Sequence, residues 1–284
     1  MNDGNEPAQA GTSQLLYWVA TVLANATVVT ALLVYFGWKR SDVMAGRLGI
    51  DEAILGMSTR EYVLRSVGQI LVLLIVVGIG GLLWLALDHW LNRALGTPGR
   101  LTRTVMVLLS LAWLILPVLT LLLGYVEPWR QWTYIALPFT IGAGILLAFY
   151  AFHLHTRDEP HPRESALKVF VGVMAGVALF WGTSNYATVL GNTLADSVAP
   201  SKLTRVTVYS QNRLHLEAPG ITESPLAPSP KEGGKPYLYR YAGLRLLDRV
   251  GGRYFLVSDA WTRRTSVVMV LSDKDAVRLE FARP

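Results

Sequence analysis

Five stretches of the chain, Ser13–Trp38, Val67–Leu87, Thr104–Val126, Gln131–Phe152 and Val169–Ala195, contain no charged side chain. Spanning a hydrocarbon core of ~30 Å takes about 20 apolar residues, and each stretch is long enough. A chain built this way must shelter five apolar helices from water, which makes it a multi-pass integral membrane protein. The charged residues are scarce (16%, against about 25% in soluble domains), and the deficit lies before residue 200. The expected fold is a five-helix transmembrane domain over 1–199 with an amphipathic interfacial segment at 39–66. A small, soluble, basic all-β domain, an antiparallel barrel or sandwich, is expected over 200–284.

The polar N-terminus holds no Lys or Arg, so it lacks a secretory n-region and the first stretch reads as a retained helix. Arg outnumbers Lys 20 to 6, a usage expected of a GC-rich bacterial genome. Cysteine is absent, which excludes disulfides, thiolate metal sites and a cysteine nucleophile.

The first stretch places Ala20, Ala24, Thr27 and Ala31 on one helix face, where small side chains admit a neighbouring helix. Asn25 lies beside that face. The fifth stretch contains Gly172-Val-Met-Ala-Gly176, a GxxxG pattern for close helix contact within or between chains. Its continuation, Thr183-Ser184-Asn185, is a polar ridge that would brace the tail or line a vestibule. Pro117 and Pro138 are expected to kink their helices. Between the first two stretches, Gly46–Gly49 and Gly56 break an amphipathic segment, and Ser58 with Glu61 forms a capping box that starts the next helix.

Three histidines and two carboxylates fall between His153 and His161, but their spacing matches no metal-ligand pattern, and the segment reads as a solvated interhelical loop. No cofactor or metal site is expected. No Asp, Glu or His lies within any apolar stretch, which disfavours ion-coupled transport and intramembrane hydrolysis.

From Lys202 the pattern alternates. Strands are predicted at Arg205–Ser210, Leu214–Glu217, Tyr237–Asp248, Tyr254–Ser258, Ser266–Leu271 and Ala276–Phe281. Gly251-Gly252 marks a hairpin, and the proline-rich 218–236 reads as an exposed loop. Residues 200–284 hold 14 Lys and Arg against 8 Asp and Glu. Tyr239, Arg240 and Arg245 are the candidate contacts for an anionic ligand or anionic lipid. No nucleic-acid motif accompanies them.

Lys and Arg near the spans number 9 on the side of the tail and 6 on the other, which orients the N-terminus outside the cell membrane and the tail in the cytoplasm. Two functions fit. One is a non-enzymatic, self-associating membrane protein whose tail docks or senses a ligand or partner. The alternative is an oligomeric passive channel lined by Asn25, Thr27, Thr183, Ser184 and Asn185 and gated by the tail.

Overall fold

The computed structural model describes residues 6–94, 100–155, 164–227, 236–262, 267–273 and 276–283, with the side chains of 6–25, 92, 94, 100–102, 155 and 164 set aside. Among the described residues seven α-helices precede six strands: α1 (Glu6–Arg47), α2 (Glu52–Leu55), α3 (Thr59–Ala94), α4 (Arg100–Ser110), α5 (Ala112–Leu123), α6 (Arg130–His155) and α7 (Glu164–Ser197). The strands are β1 (Arg205–Ser210), β2 (Thr222–Pro225), β3 (Tyr239–Val250), β4 (Arg253–Ser258), β5 (Met269–Ser272) and β6 (Val277–Ala282). Two compact units result, one of 1–36 and 65–189, the other of 37–64 and 190–284.

The first unit is helical. Among the described residues, α3, α6 and α7 are long and apolar enough to cross a membrane, and the pair α4–α5 makes a fourth if it is one span. On α3, Leu74, Leu82 and Leu83 are each more than 60% exposed in the single chain, an apolar surface suited to lipid rather than water. The first predicted stretch lies within α1, whose side chains before residue 26 are outside the described residues.

The stretch predicted as one helix over 104–126 is instead broken at Leu111, and α4 and α5 meet at 66°. Pro117 supplies no N–H to its own turn and crowds the carbonyl four residues earlier. Ser110 Oγ donates back to the Val107 carbonyl at 2.9 Å, a pattern that bends helices. Gly144 of α6 faces the break so closely that a Cβ there would lie 2.6 Å from Trp113 Cα. Pro138, in contrast, leaves α6 as a single helix. Elsewhere α6 and α7 approach through small residues: a Cβ on Gly142 would meet the Ala178 methyl at 2.7 Å, and one on Gly182 would meet the Phe139 ring.

The second unit is an open, antiparallel six-stranded sheet, ordered β5-β4-β3-β1-β6 with β2 also on β3. It does not close into the barrel that was one expectation. Gly251 and Gly252, both at positive φ, turn β3 into β4 as expected. No strand forms over 214–217; that segment lies across one face of the sheet with Leu214 and Leu216 packed on its core. β2 was missed because it sits inside the proline-rich stretch. Only four residues long, it ends on Pro225, where a missing N–H does not interrupt a ladder.

The two faces of the sheet bury different things. One holds Val206, Val208, Tyr241, Leu244, Leu256, Met269 and Leu271. The other, over β4 and the end of β3, packs Val250, Phe255, Val257 and Leu247 against Ala45, Leu48 and Leu55 of the α1–α2 region and Ala195 of α7. An extra residue on β3, between Leu246 and Asp248, switches the alternation, so that Leu244 and Leu246 serve the first core and Val250 the second.

Candidate functional site

The candidate residues of the helical unit are placed by helix packing. Thr183 is buried and its Oγ1 donates to the Leu179 carbonyl at 2.8 Å. Ser184 Oγ lies 3.3 Å from the Tyr35 hydroxyl of α1. Asn185 Nδ2 donates to the Tyr134 carbonyl of α6 at 2.8 Å. A second seam joins α5 to α6, where Thr120 Oγ1 donates to Thr140 Oγ1 at 3.2 Å and Thr133 Oγ1 to the Thr120 carbonyl at 3.3 Å. Polar side chains here connect helices, as they do wherever hydrocarbon leaves no water to satisfy them.

Thr27 is exposed on α1, while the side chains of Ala20, Ala24 and Asn25 are outside the described residues. Among the described residues nothing lies within 4 Å of a Cβ built on Gly172 or Gly176, so the GxxxG face makes no close contact with them. The His153–His161 segment lies mostly outside the described residues; His153 itself stacks on Phe149 with centroids 6.4 Å apart. Among the described residues no group of His, Asp and Glu is arranged to hold a metal ion. At the far end of α3, the Tyr150 hydroxyl donates to Asp88 while its ring meets Trp84 at 4.8 Å.

In the sheet unit the three candidates separate. Tyr239 and Tyr241 point to the buried face, where Tyr241 is fully buried and its hydroxyl accepts the Leu214 N–H at 2.8 Å. Burial pushes the Tyr241 phenol above its ordinary pKa. Arg240 points to the opposite face and is exposed. Arg245 shares that opposite face but is buried; its Nε donates to Asp259 and its Nη1 to the Leu203 carbonyl at 3.0 Å. That bond ties β3 to the chain leaving α7.

The register places beside Arg240 residues that sequence reasoning missed. Tyr209 of β1 is the cross-strand partner of Arg240 on β3 and of Arg278 on β6. The Arg278 guanidinium sits 6.0 Å from the Tyr209 ring centroid and pairs with Glu280 at 3.0 Å. The Tyr209 hydroxyl donates to Glu280 at 3.1 Å, and the Tyr237 ring lies 6.5 Å away. Alternation in RVTVYS and VRLEFA already puts Arg205, Tyr209, Arg278 and Glu280 on polar faces. Only the pairing of β1 between β3 and β6 gathers them with Arg240.

The α2 region meets the β3–β4 turn through specific bonds. Asp51 caps α2, and Gly56 ends it in the left-handed conformation. The expected capping box forms: Ser58 N donates to Glu61 Oε2 at 2.6 Å. Glu61 Oε1 accepts the Gly251 N–H at 3.2 Å, and Arg253 Nη1 donates to the Ile54 carbonyl at 2.9 Å. The chain matches no family model, and no curated protein or solved structure is similar to it.

Proposed function

We propose that this is a non-enzymatic, multi-pass membrane protein whose β-sheet unit docks or senses an anionic partner at the cytoplasmic membrane face, and that it self-associates. One observation carries the reading: the sheet shares its core with the ends of α1 and α7. Ala45, Leu48 and Ala195 are buried with Phe255, Val257 and Trp261. A partner bound on the sheet therefore acts on elements continuous with apolar helices. Gly172 and Gly176, which meet nothing within 4 Å among the described residues, are the contact offered to a second copy.

Reconstituted in sealed liposomes, the purified protein is expected to be ion-tight, because Ser184 and Asn185 are committed to neighbouring helices and Thr183 is buried and bonded within α7. Ion flux from an oligomer of defined mass would replace this reading with the channel.

The reading includes five crossings. Residues 37–64 and 190–284 belong to one compact unit and so share one side of the membrane. Between them the chain must cross an even number of times. In this reading the three candidate spans α3, α6 and α7 and the broken pair α4–α5 make four crossings, and the charge-free stretch within α1 is taken as a fifth. At 1.5 Å per residue, α5 reaches about 18 Å, and α4, tilted by 66°, adds about 7 Å along the same direction. The shortfall from ~30 Å is within what local bilayer thinning absorbs.

Since the chain has no cysteine, single replacements report topology cleanly. Lys202→Cys and Tyr125→Cys are expected to resist a membrane-impermeant maleimide on intact cells. Arg93→Cys, exposed in the last turn of α3, is expected to react. Labelling of Tyr125→Cys as well as Arg93→Cys would mean that α4–α5 re-enters without crossing.

A further inference from the structure

The sheet face that packs on the α1–α2 region is only half covered. Its covered half is apolar: Leu247, Val250, Phe255 and Val257. Its other half, over β1, β6 and the start of β3, is basic and open. On β1, Val206 and Val208 serve the opposite core, so Arg205, Thr207 and Tyr209 belong to this half. On β6, Val277 and Leu279 face the same core, leaving Arg278 and Glu280 here, and Tyr239 and Tyr241 do the same for Arg240 on β3. Arg205, Arg240 and Arg278 are all exposed.

The arginines of β1–β6 are not alike. Arg245 pairs with Asp259, Arg249 with Asp273 at 3.0 Å and Arg278 with Glu280, and Arg253 holds the Ile54 carbonyl. Arg205 and Arg240 have no carboxylate partner among the described residues, and both lie on the open half. Three arginines against one glutamate leave that surface with two uncompensated positive charges.

We infer that this open half binds a phosphate-bearing anion, with Arg240 and Arg278 closing on it from either side of Tyr209, while Arg205, about 13 Å along β1, adds to the positive field. The inference rests on the docking reading above and names its ligand chemistry. Strands on either side of β1 hold the Cα atoms of Arg240 and Arg278 about 10 Å apart. Two guanidiniums on long stems converge across that gap onto one group, and their planar forks suit phosphate oxygens. A stacked nucleobase is the poorer fit, because one face of the Tyr209 ring already carries Arg278. Phosphate of this kind comes either as a lipid headgroup or as a free anion.

The test uses the full chain in neutral detergent and counts bound ligand by native mass spectrometry, titrating a short-chain phosphatidic acid and, separately, pyrophosphate. Saturable binding of one or both is expected. Arg240→Gln combined with Arg278→Gln should weaken it at least tenfold without changing the melting temperature, whereas Arg249→Gln, a loss of charge on the same sheet, should leave it intact. Binding of phosphatidic acid alone identifies the lipid headgroup; equal binding of both identifies a free anion. Absence of binding by either ligand, or equal weakening in Arg249→Gln, overturns the site. Absence of binding from ion-tight protein would remove this site and leave the docking reading standing.

Discussion

Replacing Gly37 by valine is expected to give a large loss of stability. Gly37 of α1 lies against Tyr62 of α3 with no room for a side chain. A Cβ there would fall 2.6 Å from the Tyr62 carbonyl carbon and 2.9 Å from its Cα. The obstacle is backbone, which cannot rotate aside as the end of a side chain can. Overpacking typically costs 1–3 kcal/mol, and a clash with helix backbone belongs at or above about 3 kcal/mol. The measurement is the yield and melting temperature of monodisperse protein in detergent. Gly37→Val should be recovered poorly or melt many degrees lower, and Gly37→Ala should fall between it and the parent. Gly78→Leu is the control for bulk alone, since that glycine of α3 meets nothing within 4 Å. A Gly37→Val protein that melts with the parent would show that α1 and α3 are not held this close.

Gly37 also shows where sequence reasoning stops. It sits at the end of a charge-free stretch, one residue before Trp38 and in no motif, whereas Gly172 belongs to a recognisable one. Yet Gly37 is the tightly packed one. A motif records what a helix face can do, while the structure records which face met a partner. The same limit applies to the broken helix. Pro117 was legible as a kink, but the break falls six residues earlier, where Gly144 of another helix makes room for it.

Within the sheet, β1 was legible to the residue because RVTVYS alternates cleanly and one side of it is buried. The β3–β4 turn was legible because only glycine enters it without strain. What alternation leaves open is register. Tyr239, Arg240 and Arg245 look like one cluster along a single strand. Alternation sends Tyr239 to the core, and the extra residue between Arg240 and Leu244 shifts the later positions of β3 against β1. Arg240 thereby joins Tyr209 and Arg278 on an open surface, while Arg245 joins Val257 under the α7 connection. The burial of Ala45 and Leu55 against Phe255 was equally beyond local pattern, since an apolar face suits a bilayer surface as well as a sheet.

Arg245 and Asp259 give the second large effect, and the two ends of the pair should behave differently from an ordinary surface ion pair. The Arg245 side chain is 8% exposed and Asp259 is 43% exposed, so the cation is the buried member. Changing Asp259 to asparagine leaves that cation without a countercharge. Removing one member of a fully buried pair costs about 3–5 kcal/mol. Because water reaches Asp259, the expected cost here is about 2 kcal/mol. Asp273→Asn removes the partner of Arg249, whose side chain is 59% exposed, and should cost no more than about 0.5 kcal/mol. Arg245→Met combined with Asp259→Asn should recover part of the loss, since no buried charge then remains, although the Leu203 carbonyl still forfeits its donor. Denaturant unfolding followed on the four proteins measures these differences. Equal losses for Asp259→Asn and Asp273→Asn would mean that Arg245 is hydrated in solution and does not clamp the chain between α7 and β1.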